Sequence, residues 1–341
     1  MTTLKDIAHA LNISYSTVSA IMRGRGRELR FSESTCELVK AKAAELGYRP
    51  NLSAQALRSG RSYLVGVLVS NINQNVIIPG LLQGLDDVLI KYHMGMLVAT
   101  YQSVAELNER VELMLARNVD GVVILPDNRP EYEEARLRLL HNRPAAGVGM
   151  DSTLYGIPWV FTAPDAASQI TLEHLLQLGH RHFAKIIRHE KMDAVSEDLI
   201  RRAGGTFTLI EPEMGRRSWT CQSRFQAGER GFEMICQQRC PITAILAHND
   251  FTAAGVIAAA AAKGFKVPQD LSVTGFDGAE ISRCTLPALT TAAQPFELQG
   301  SAAGELLMRA INGEKNLPNV RLLPKLQIGG SSGPAGARLF T

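Results

Sequence analysis

The sequence predicts an α/β protein in which a small helix-turn-helix head precedes a larger body of two doubly wound lobes. Three observations predict this class. Two short amphipathic segments flank a tight turn at the amino terminus, and the part of the chain that contains them is basic. From Tyr63 onward, apolar runs of strand length alternate with amphipathic helices, which is typical of parallel sheets covered on both faces. With 341 residues, of which 45% are apolar, the chain is long enough to bury such cores.

The first predicted helix covers residues 4–11. Thr3 and Asp6 have the spacing of a capping pair, and Asn12 suits the left-handed position that ends a helix. One face of this helix is apolar and consists of Leu4, Ile7, Ala8 and Leu11. The segment is therefore expected to pack that face against a neighbouring helix.

The second predicted helix covers residues 15–22, and Ser14 is placed to cap it. Its inward side chains are expected to be Val18, Ile21 and Met22. Its outward side chains are expected to be Tyr15, Ser16, Ser19 and Ala20. Two helices on so tight a turn can present the second one to a groove of DNA, where the outward residues near its amino end meet base edges.

The charge of the chain is unevenly distributed. Residues 1–62 contain ten Lys or Arg and five Asp or Glu, a net charge of +5, whereas the remainder carries 26 basic and 28 acidic residues. Part of the positive charge lies in the glycine-rich loop 23–30, where Arg23 and Arg25 are expected to contact phosphate. A basic head on a near-neutral body is expected of a protein that binds a polyanion.

The domain bounds follow from these patterns. A third helix, from Ser32 to Leu46 with Gly47 as its stop, completes the head. The predicted units are the head (1–48), a linker with a short helix (49–62), the body (63–330) and a flexible glycine-rich tail (331–341). Within the body, the first lobe is assigned residues 63–158 and 292–320, and the second lobe residues 159–290 and 321–330. The end of the chain has no heptad pattern, so a dimer is expected rather than a coiled-coil tetramer.

Several classes of protein are disfavoured. No apolar run has the form of a signal peptide or a membrane span. The cysteines (Cys36, Cys221, Cys236, Cys240 and Cys284) are odd in number and lack C-x-x-C spacing, which favours a reducing cytoplasm without disulfides or structural zinc. No dinucleotide-binding glycine motif, P-loop, nucleophile elbow or metal-ligand cluster is present, so neither a cofactor nor an enzyme is expected. Three nearby histidines are expected at helix ends and on the surface: His174, His180 and His182.

Ordered segments along almost the whole chain match a known family. In the first part they are residues 4–8, 16–19, 46–51 and 56–62; in the body they are residues 119–122, 174–181, 249–250, 267–277 and 289–291. Together they resemble the LacI/GalR family of transcriptional regulators. The resemblance implies a periplasmic-binding-protein-like body and a homodimer, more often a repressor, whose heads read a palindromic operator in double-stranded DNA. It also implies a small effector between the lobes, usually a sugar or related polyhydroxyl metabolite.

The resemblance implies a set of DNA contacts. Tyr15 and Ser16 match the specificity pair of the recognition helix. Leu57 matches a leucine wedge on a hinge helix that opens the central base step of the operator. Taken alone, Leu57 is also consistent with a residue that packs a small helix, but the residues on either side of it favour the wedge. Ala20 departs from the basic residue common in the family, which predicts a less usual operator. The full set is Thr3, Ser14, Tyr15, Ser16, Thr17, Ser19, Arg23, Arg25, Asn51, Ala54, Leu57 and Arg58.

The resemblance also implies an effector pocket. Its positions are Asn71, Asn73, Asp151, Trp219, Asn249, Asp277 and Gln294. Amides and carboxylates hydrogen-bond to sugar hydroxyls, and an indole stacks on the apolar face of the ring. Structural alternatives remain open, because Asn249 with Asp250 can cap a helix at Thr252, Asp277 can serve a turn with Gly278, and Trp219 can belong to the core.

Two departures from the family bear on the effector. Residues 187–207 are shorter than usual and lack the Arg-x-x-x-Gly-Phe pattern whose arginine holds the ligand. The loop 71–78 lacks the usual paired aromatic residues. The candidates to replace the arginine are Arg188, Arg201 and Arg202. Competing functions are a regulator whose body only dimerises, a solute-binding sensor and an enzyme. The intact head and the lack of a signal peptide argue against the sensor, and the lack of catalytic motifs argues against the enzyme.

Overall fold

The computed structural model describes residues 2–22, 24, 26, 28–49, 56, 60–70, 76, 78–125, 130–149, 152, 154–187, 194–212, 220–238 and 241–336. The chain divides into two compact units, residues 1–62 and residues 63–341. The first unit contains the predicted head, and the second unit is the body.

The head consists of three helices, α1 (Leu4–Leu11), α2 (Tyr15–Met22) and α3 (Glu33–Glu45). Both predicted caps are present. The Asp6 N–H donates to Thr3 Oγ1 at 3.4 Å within a capping box, and the Thr17 N–H donates to Ser14 Oγ at 3.0 Å. Asn12 ends α1 in the left-handed region with φ 50°. The apolar core cluster of the head consists of Ile7, Ala8, Val18, Ile21, Val39 and Ala43, with Leu4, Leu11 and Met22 packed against it. The predicted helices and their inward faces are confirmed.

Two residues of α2 contradict the prediction that they face outward. Ser19 is 2% exposed and Ala20 is 5% exposed. The reason is that the short α2 packs against both α1 and α3, so its buried arc is wider than one stripe of side chains. The exposed part of α2 is therefore its first turn.

The body alternates strands and helices. Its strands are β1 (Leu64–Ser70), β2 (Gly95–Tyr101), β3 (Gly121–Ile124), β4 (Ala145–Val148), β5 (Trp159–Thr162), β6 (His182–Ile186), β7 (Thr206–Ile210), β8 (Ala244–Ala247), β9 (Ser272–Asp277), β10 (Thr290–Ala293), β11 (Val320–Leu322) and β12 (Lys325–Gln327). Its helices are α4 (Ile78–Lys91), α5 (Val104–Ala116), α6 (Glu133–Leu140), α7 (Pro164–Gln177), α8 (Ala194–Arg202), α9 (Cys221–Gln238), α10 (Asp250–Ala262), α11 (Ile281–Cys284) and α12 (Phe296–Ile311). The sequence did not predict α11, β11 and β12.

The strands form two six-stranded sheets. The first sheet has the order β11-β5-β4-β3-β1-β2 and is parallel throughout. The second has the order β12-β10-β9-β8-β6-β7, in which only β12 is antiparallel. Apolar clusters lie on both faces of each sheet, which explains why the inner strands are continuous apolar runs. The predicted two-lobed, doubly wound class is correct.

The predicted lobe bounds are wrong at the crossings between the sheets. β5 was assigned to the second lobe, but it pairs with β4 in the first sheet, with Trp159 opposite Gly147. β10 lies wholly in the second sheet, and β11 belongs to the first. The physical reason is that an apolar run favours a buried strand without saying which sheet buries it. The chain therefore crosses between the sheets after β5, after β10 and after β11.

Residues 331–336, part of the tail predicted to be flexible, are ordered. Ser331 is fully buried; its Oγ donates to the Val273 carbonyl at 2.6 Å and accepts from the Thr290 N–H at 2.8 Å. The Ala335 N–H donates to the Leu178 carbonyl at 2.9 Å. Because these partners lie far away in the chain, the local glycine-rich composition does not reveal them.

His180 also contradicts its prediction, since it is fully buried rather than on the surface. Its Nε2 donates to the Gly333 carbonyl at 3.0 Å, and its Nδ1 lies 2.9 Å from Thr243 Oγ1. Desolvation lowers the pKa of the imidazole, which favours the neutral ring. His180 therefore ties the ordered tail to the second sheet.

Candidate DNA-binding surface and effector cleft

The first turn of α2 carries a compact group of hydroxyls. Ser14, Tyr15 and Ser16 are exposed, and Thr17 is partly buried. Ser14 Oγ lies 2.8 Å from both Ser16 Oγ and Thr17 Oγ1. Exposed hydroxyls at the amino end of a helix suit a phosphate, while the adjacent exposed side chains can reach base edges.

The other predicted DNA contacts divide into three groups. Thr3 is exposed and is engaged in the capping box of α1. Ser19 is buried, so it does not join the exposed face of α2. The rest lie outside the described residues: Arg23, Arg25, Asn51, Ala54, Leu57 and Arg58.

The second sheet places polar residues together at the carboxyl ends of three adjacent strands. Asn249 follows β8, Asp277 ends β9 and Gln294 follows β10. Ligands bind beyond this edge in doubly wound sheets. The remaining predicted pocket residues lie outside the described part of the chain: Asn71, Asn73, Asp151 and Trp219.

Asn249 has the structural role that was left open. It is 4% exposed, and its Oδ1 accepts from the Thr252 N–H at 2.9 Å as the cap of α10. Because its Oδ1 is engaged in this cap, Asn249 would contact a ligand through its amide nitrogen.

A chain of hydrogen bonds runs from Asp277 across to the first sheet. Gln294 Nε2 donates to Asp277 Oδ1 at 2.8 Å. Gln299 Nε2 donates to Gln294 Oε1 at 3.1 Å and to Thr162 Oγ1 at 2.5 Å. Thr162 ends β5, and Gln299 lies on α12, so the chain connects the carboxyl edge of one sheet to that of the other.

The surroundings of Asp277 have opposing effects on the pKa of its carboxyl. Desolvation raises the pKa of its carboxyl, whereas the hydrogen bond from Gln294 and the nearby charges of Arg224 and His248 lower it. Arg224 lies in the first turns of α9, and its Nε is buried without a hydrogen-bond partner among the described residues. Arg224 is not among the pocket residues expected from the sequence.

Asp250 is a second carboxyl at this edge. It is fully buried; its Oδ1 accepts from the Thr291 hydroxyl at 2.6 Å and its Oδ2 from the Ala279 N–H at 2.6 Å. Desolvation, with a further contribution from the charge of Asp277, raises the Asp250 pKa to about 7 against the hydrogen bonds that lower it. These bonds hold α10 against β10 and the turn after β9.

We expect Asp250 to make the stability of the body depend on pH. In the unfolded chain this carboxyl ionises near its ordinary value of 3.8, whereas in the folded chain it ionises near 7. The unfolded state therefore loses the proton first, and this group's contribution to the unfolding free energy falls as the pH rises from about 4 to about 7. Asp250→Asn removes the titration, so the wild-type value minus the variant's should fall across this window by at most about 1.4 kcal/mol per pH unit. Urea unfolding at several pH values measures this difference, and parallel profiles would contradict the assignment.

Two of the three proposed substitutes for the missing arginine are engaged in ion pairs on a helix. Arg201 and Arg202 are exposed on α8, where each pairs with Asp198, at 2.6 and 2.7 Å. Arg188 lies outside the described residues. Two residues that sequence reasoning missed, Arg224 and Gln299, occupy the region instead. The signal for Gln299 was present, since it interrupts the apolar inner stripe of α12.

Two features typical of other classes of protein are missing from the described part of the chain. No group of three His, Cys, Asp or Glu in that part of the chain has the arrangement of a metal site. None of the helices described there combines the length and the apolar character that crossing a membrane requires.

Comparison with known proteins places the head and the body in the same family. The profile of the bacterial regulatory proteins of the lacI family matches residues 3–51, and that of the periplasmic binding protein-like domain matches residues 172–332. The ribose operon repressor of Halalkalibacterium halodurans is 28% identical over 315 residues, which are 91% of each chain. A crystal structure of the lac repressor dimer bound to operator and the anti-inducer ONPF superposes with a TM-score of 0.76 at 26% identity, over 97% of this chain and 99% of that chain.

The lactose operon repressor of Escherichia coli (strain K12) shares 31% identity over 333 residues, covering 94% of this chain and 88% of that repressor. At this coverage the match includes both the head and the body. The chain therefore belongs to the lacI family of bacterial regulatory proteins.

Proposed function

We propose that this protein is a sequence-specific DNA-binding transcriptional regulator, a repressor, that binds a palindromic operator as a homodimer. The observation that carries the proposal is the helix-turn-helix head, whose second helix begins in exposed hydroxyl side chains. Two of the relatives are named as repressors of the ribose and lactose operons, and a solved relative is a dimer on operator DNA. A regulator of this kind acts on the chromosome in the cytoplasm and needs no catalytic activity.

The proposed DNA contacts fall into two parts. In the head, Tyr15 and Ser16 read base edges, while Ser14 and Thr17 hold phosphate at the amino end of α2. Outside the described residues, the assignments rest on the sequence alone. There, phosphate or minor-groove contacts are assigned to Arg23, Arg25, Asn51, Ala54 and Arg58, and Leu57 acts as the wedge.

The effector is proposed to be a sugar or a related polyhydroxyl metabolite bound between the sheets. Asp277 and Gln294 offer a carboxylate and an amide at the carboxyl edge of the second sheet, which is the chemistry that hydroxyl groups need. From the sequence, Asn71, Asn73, Asp151 and Trp219 complete the pocket. Binding would change the relation of the two lobes and thereby the operator affinity.

The test is selection of genomic DNA fragments by the purified full-length protein at two salt concentrations. We expect recovery of a short palindrome whose half-sites are about one helical turn apart, bound at both salt concentrations. Diffuse binding that disappears steeply with salt would indicate phosphate contact alone and would refute a sequence-specific function.

Leu57→Ala is expected to weaken binding to the selected palindrome by about 2 kcal/mol, because opening a base step and bending the site require the apolar wedge. Binding to unrelated DNA should change little, since that binding rests on phosphate contacts. Fluorescence anisotropy on both DNAs measures the two affinities. Equal losses on the palindrome and on unrelated DNA would remove the wedge role from Leu57.

A further inference from the structure

The reciprocal packing of α9 and α10 determines where Arg224 lies. The backbone leaves no room for a Cβ at Gly228, which faces Thr252 and Val256, or at Gly255, which faces Phe225. Residues 225–229 of α9 are therefore level with residues 252–256 of α10. The two helices run in the same direction, because α9 leads from β7 to β8 and α10 from β8 to β9, which are parallel strands of one sheet.

Arg224 is one helical turn before Gly228, so it is level with the start of α10. That start follows directly on the carboxyl end of β8, where His248 is located. Asp277 at the end of β9 is close enough to respond to the charges of both Arg224 and His248. Arg224 is thus at the carboxyl edge of the second sheet, together with Asn249, Asp277 and Gln294.

The hydrogen-bonding capacity of Arg224 is also not fully used within the described part of the chain. Its Nε is buried and has no hydrogen-bond partner among the described residues. The planar guanidinium suits carboxylate and phosphate groups, because it can bind two of their oxygens at once through two N–H groups. A buried N–H without an acceptor costs free energy, and a ligand oxygen at this point recovers it.

Two carboxyl groups near Arg224, those of Asp250 and Asp277, are already engaged within the protein. Both oxygens of Asp250 already accept short hydrogen bonds within the protein, and burial favours its neutral form near pH 7. Asp277 is the acid that responds to Arg224 and His248, and one of its oxygens already accepts from Gln294. Neither carboxyl supplies the acceptor that the Nε of Arg224 lacks among the described residues.

We propose that Arg224 is an effector-binding residue and that the effector is a sugar carrying an anionic group, with that group on Arg224 and the hydroxyls on Asp277. The inference rests on the proposed function, because it assigns the chemistry of the same cleft. The anion can be a carboxylate, as in a uronate, or a phosphate ester. The guanidinium recognises the charge and oxygen geometry that the two have in common.

The probes are glucose and galactose, each as the neutral sugar, the uronate and the 6-phosphate. Isothermal titration of the full-length protein gives the affinities, and fluorescence anisotropy on the selected palindrome gives the DNA response. At least one charged sugar is expected to bind about tenfold or more tightly than its neutral parent. A uronate preference would identify a carboxylate as the anion, and a 6-phosphate preference would identify a phosphate ester.

Three variants test whether Arg224 causes the preference for the charged sugar. Arg224→Gln should lose the preference for the charged sugar, whereas Arg224→Lys should keep part of it because the positive charge remains. Arg230→Gln is the matched control, an exposed arginine on the same helix, and should keep it fully. Thermal unfolding without ligand verifies that each variant is folded, and the lysine variant keeps the test decisive if the glutamine variant is not.

Each other outcome overturns the inference. Equal binding of neutral and charged sugars, a preference that survives in Arg224→Gln, or binding by no charged sugar would each remove Arg224 from effector recognition. Binding of the ligand-free protein to its palindrome is measured separately. Loss of that binding refutes the proposed function, while intact binding with no response to charged sugars refutes only this inference.

Discussion

Gly255→Ala is expected to destabilise the body by about 3 kcal/mol or more, or to prevent it from folding. A Cβ at this position would overlap with the carbonyl oxygen of Phe225, which is helix backbone and has no rotamer to adopt. Alanine is a better helix former than glycine by about 1 kcal/mol, so propensity alone predicts the opposite sign. The steric effect decides because α9 and α10 must separate over a fully buried contact.

Thermal unfolding of the full-length protein, followed by far-ultraviolet circular dichroism, measures this effect as a fall of the body's midpoint by roughly 5 to 10 °C. Ala258→Ser is the matched control, since Ala258 is exposed on the same helix and its substitution should move the midpoint very little. A midpoint for Gly255→Ala equal to or above that of the wild type would show that the α9–α10 spacing can expand at little cost.

The first lobe also contains a pair of helices in close backbone contact at glycines. α4 and α12 approach each other at Gly84 and Gly300, where a Cβ would overlap with backbone of the opposite helix in the same way. Each lobe thus has one helix pair held at backbone contact next to its sheet. Such a pair moves as one piece, which suits a protein whose proposed response is a change in the relation of the two lobes.

The sequence was a good guide to local structure. Buried parallel strands such as β1 and β3 are continuous apolar runs, so the alternation of strands and helices was visible in the sequence. The caps of α1 and α2 were found for a similar reason, because side chain and backbone partner lie within three residues of each other. Wherever the causes of an element are local, its pattern is visible in the sequence.

The sequence failed where the cause lies far along the chain. The assignment of β5 to a sheet depends on its pairing with β4, and the order of the tail depends on partners of Ser331 some 40 to 60 residues away. At the site, Asp277 and Gln294 were named through the resemblance. Arg224 was missed, because its position follows from glycine contacts between two helices.

Asp277→Ala is expected to abolish the response of operator binding to the effector, while operator binding without effector persists. The carboxylate is a proposed ligand contact and also the first link of the hydrogen-bond chain through Gln294 and Gln299 to Thr162. Its loss removes the contact and the link together, and couplings between sites in such proteins are typically about 1–3 kcal/mol. Titrating the strongest-binding sugar of the panel into the protein–palindrome complex measures the loss, and an unchanged response would leave Asp277 with a structural role only.

Gln299→Met separates the two contributions of Asp277. Methionine has nearly the same length as glutamine but cannot donate to Thr162, so the variant keeps Asp277 and Gln294 and cuts the link to the first sheet. If the chain transmits the signal, effector affinity should change by only a few-fold while the release of operator is strongly reduced, since a ligand that no longer distinguishes two states cannot shift them. Effector binding and operator release that decline together would instead show that Gln299 shapes the pocket. Operator release equal to that of the wild type would show that the lobes communicate through the packed crossing segments without this chain.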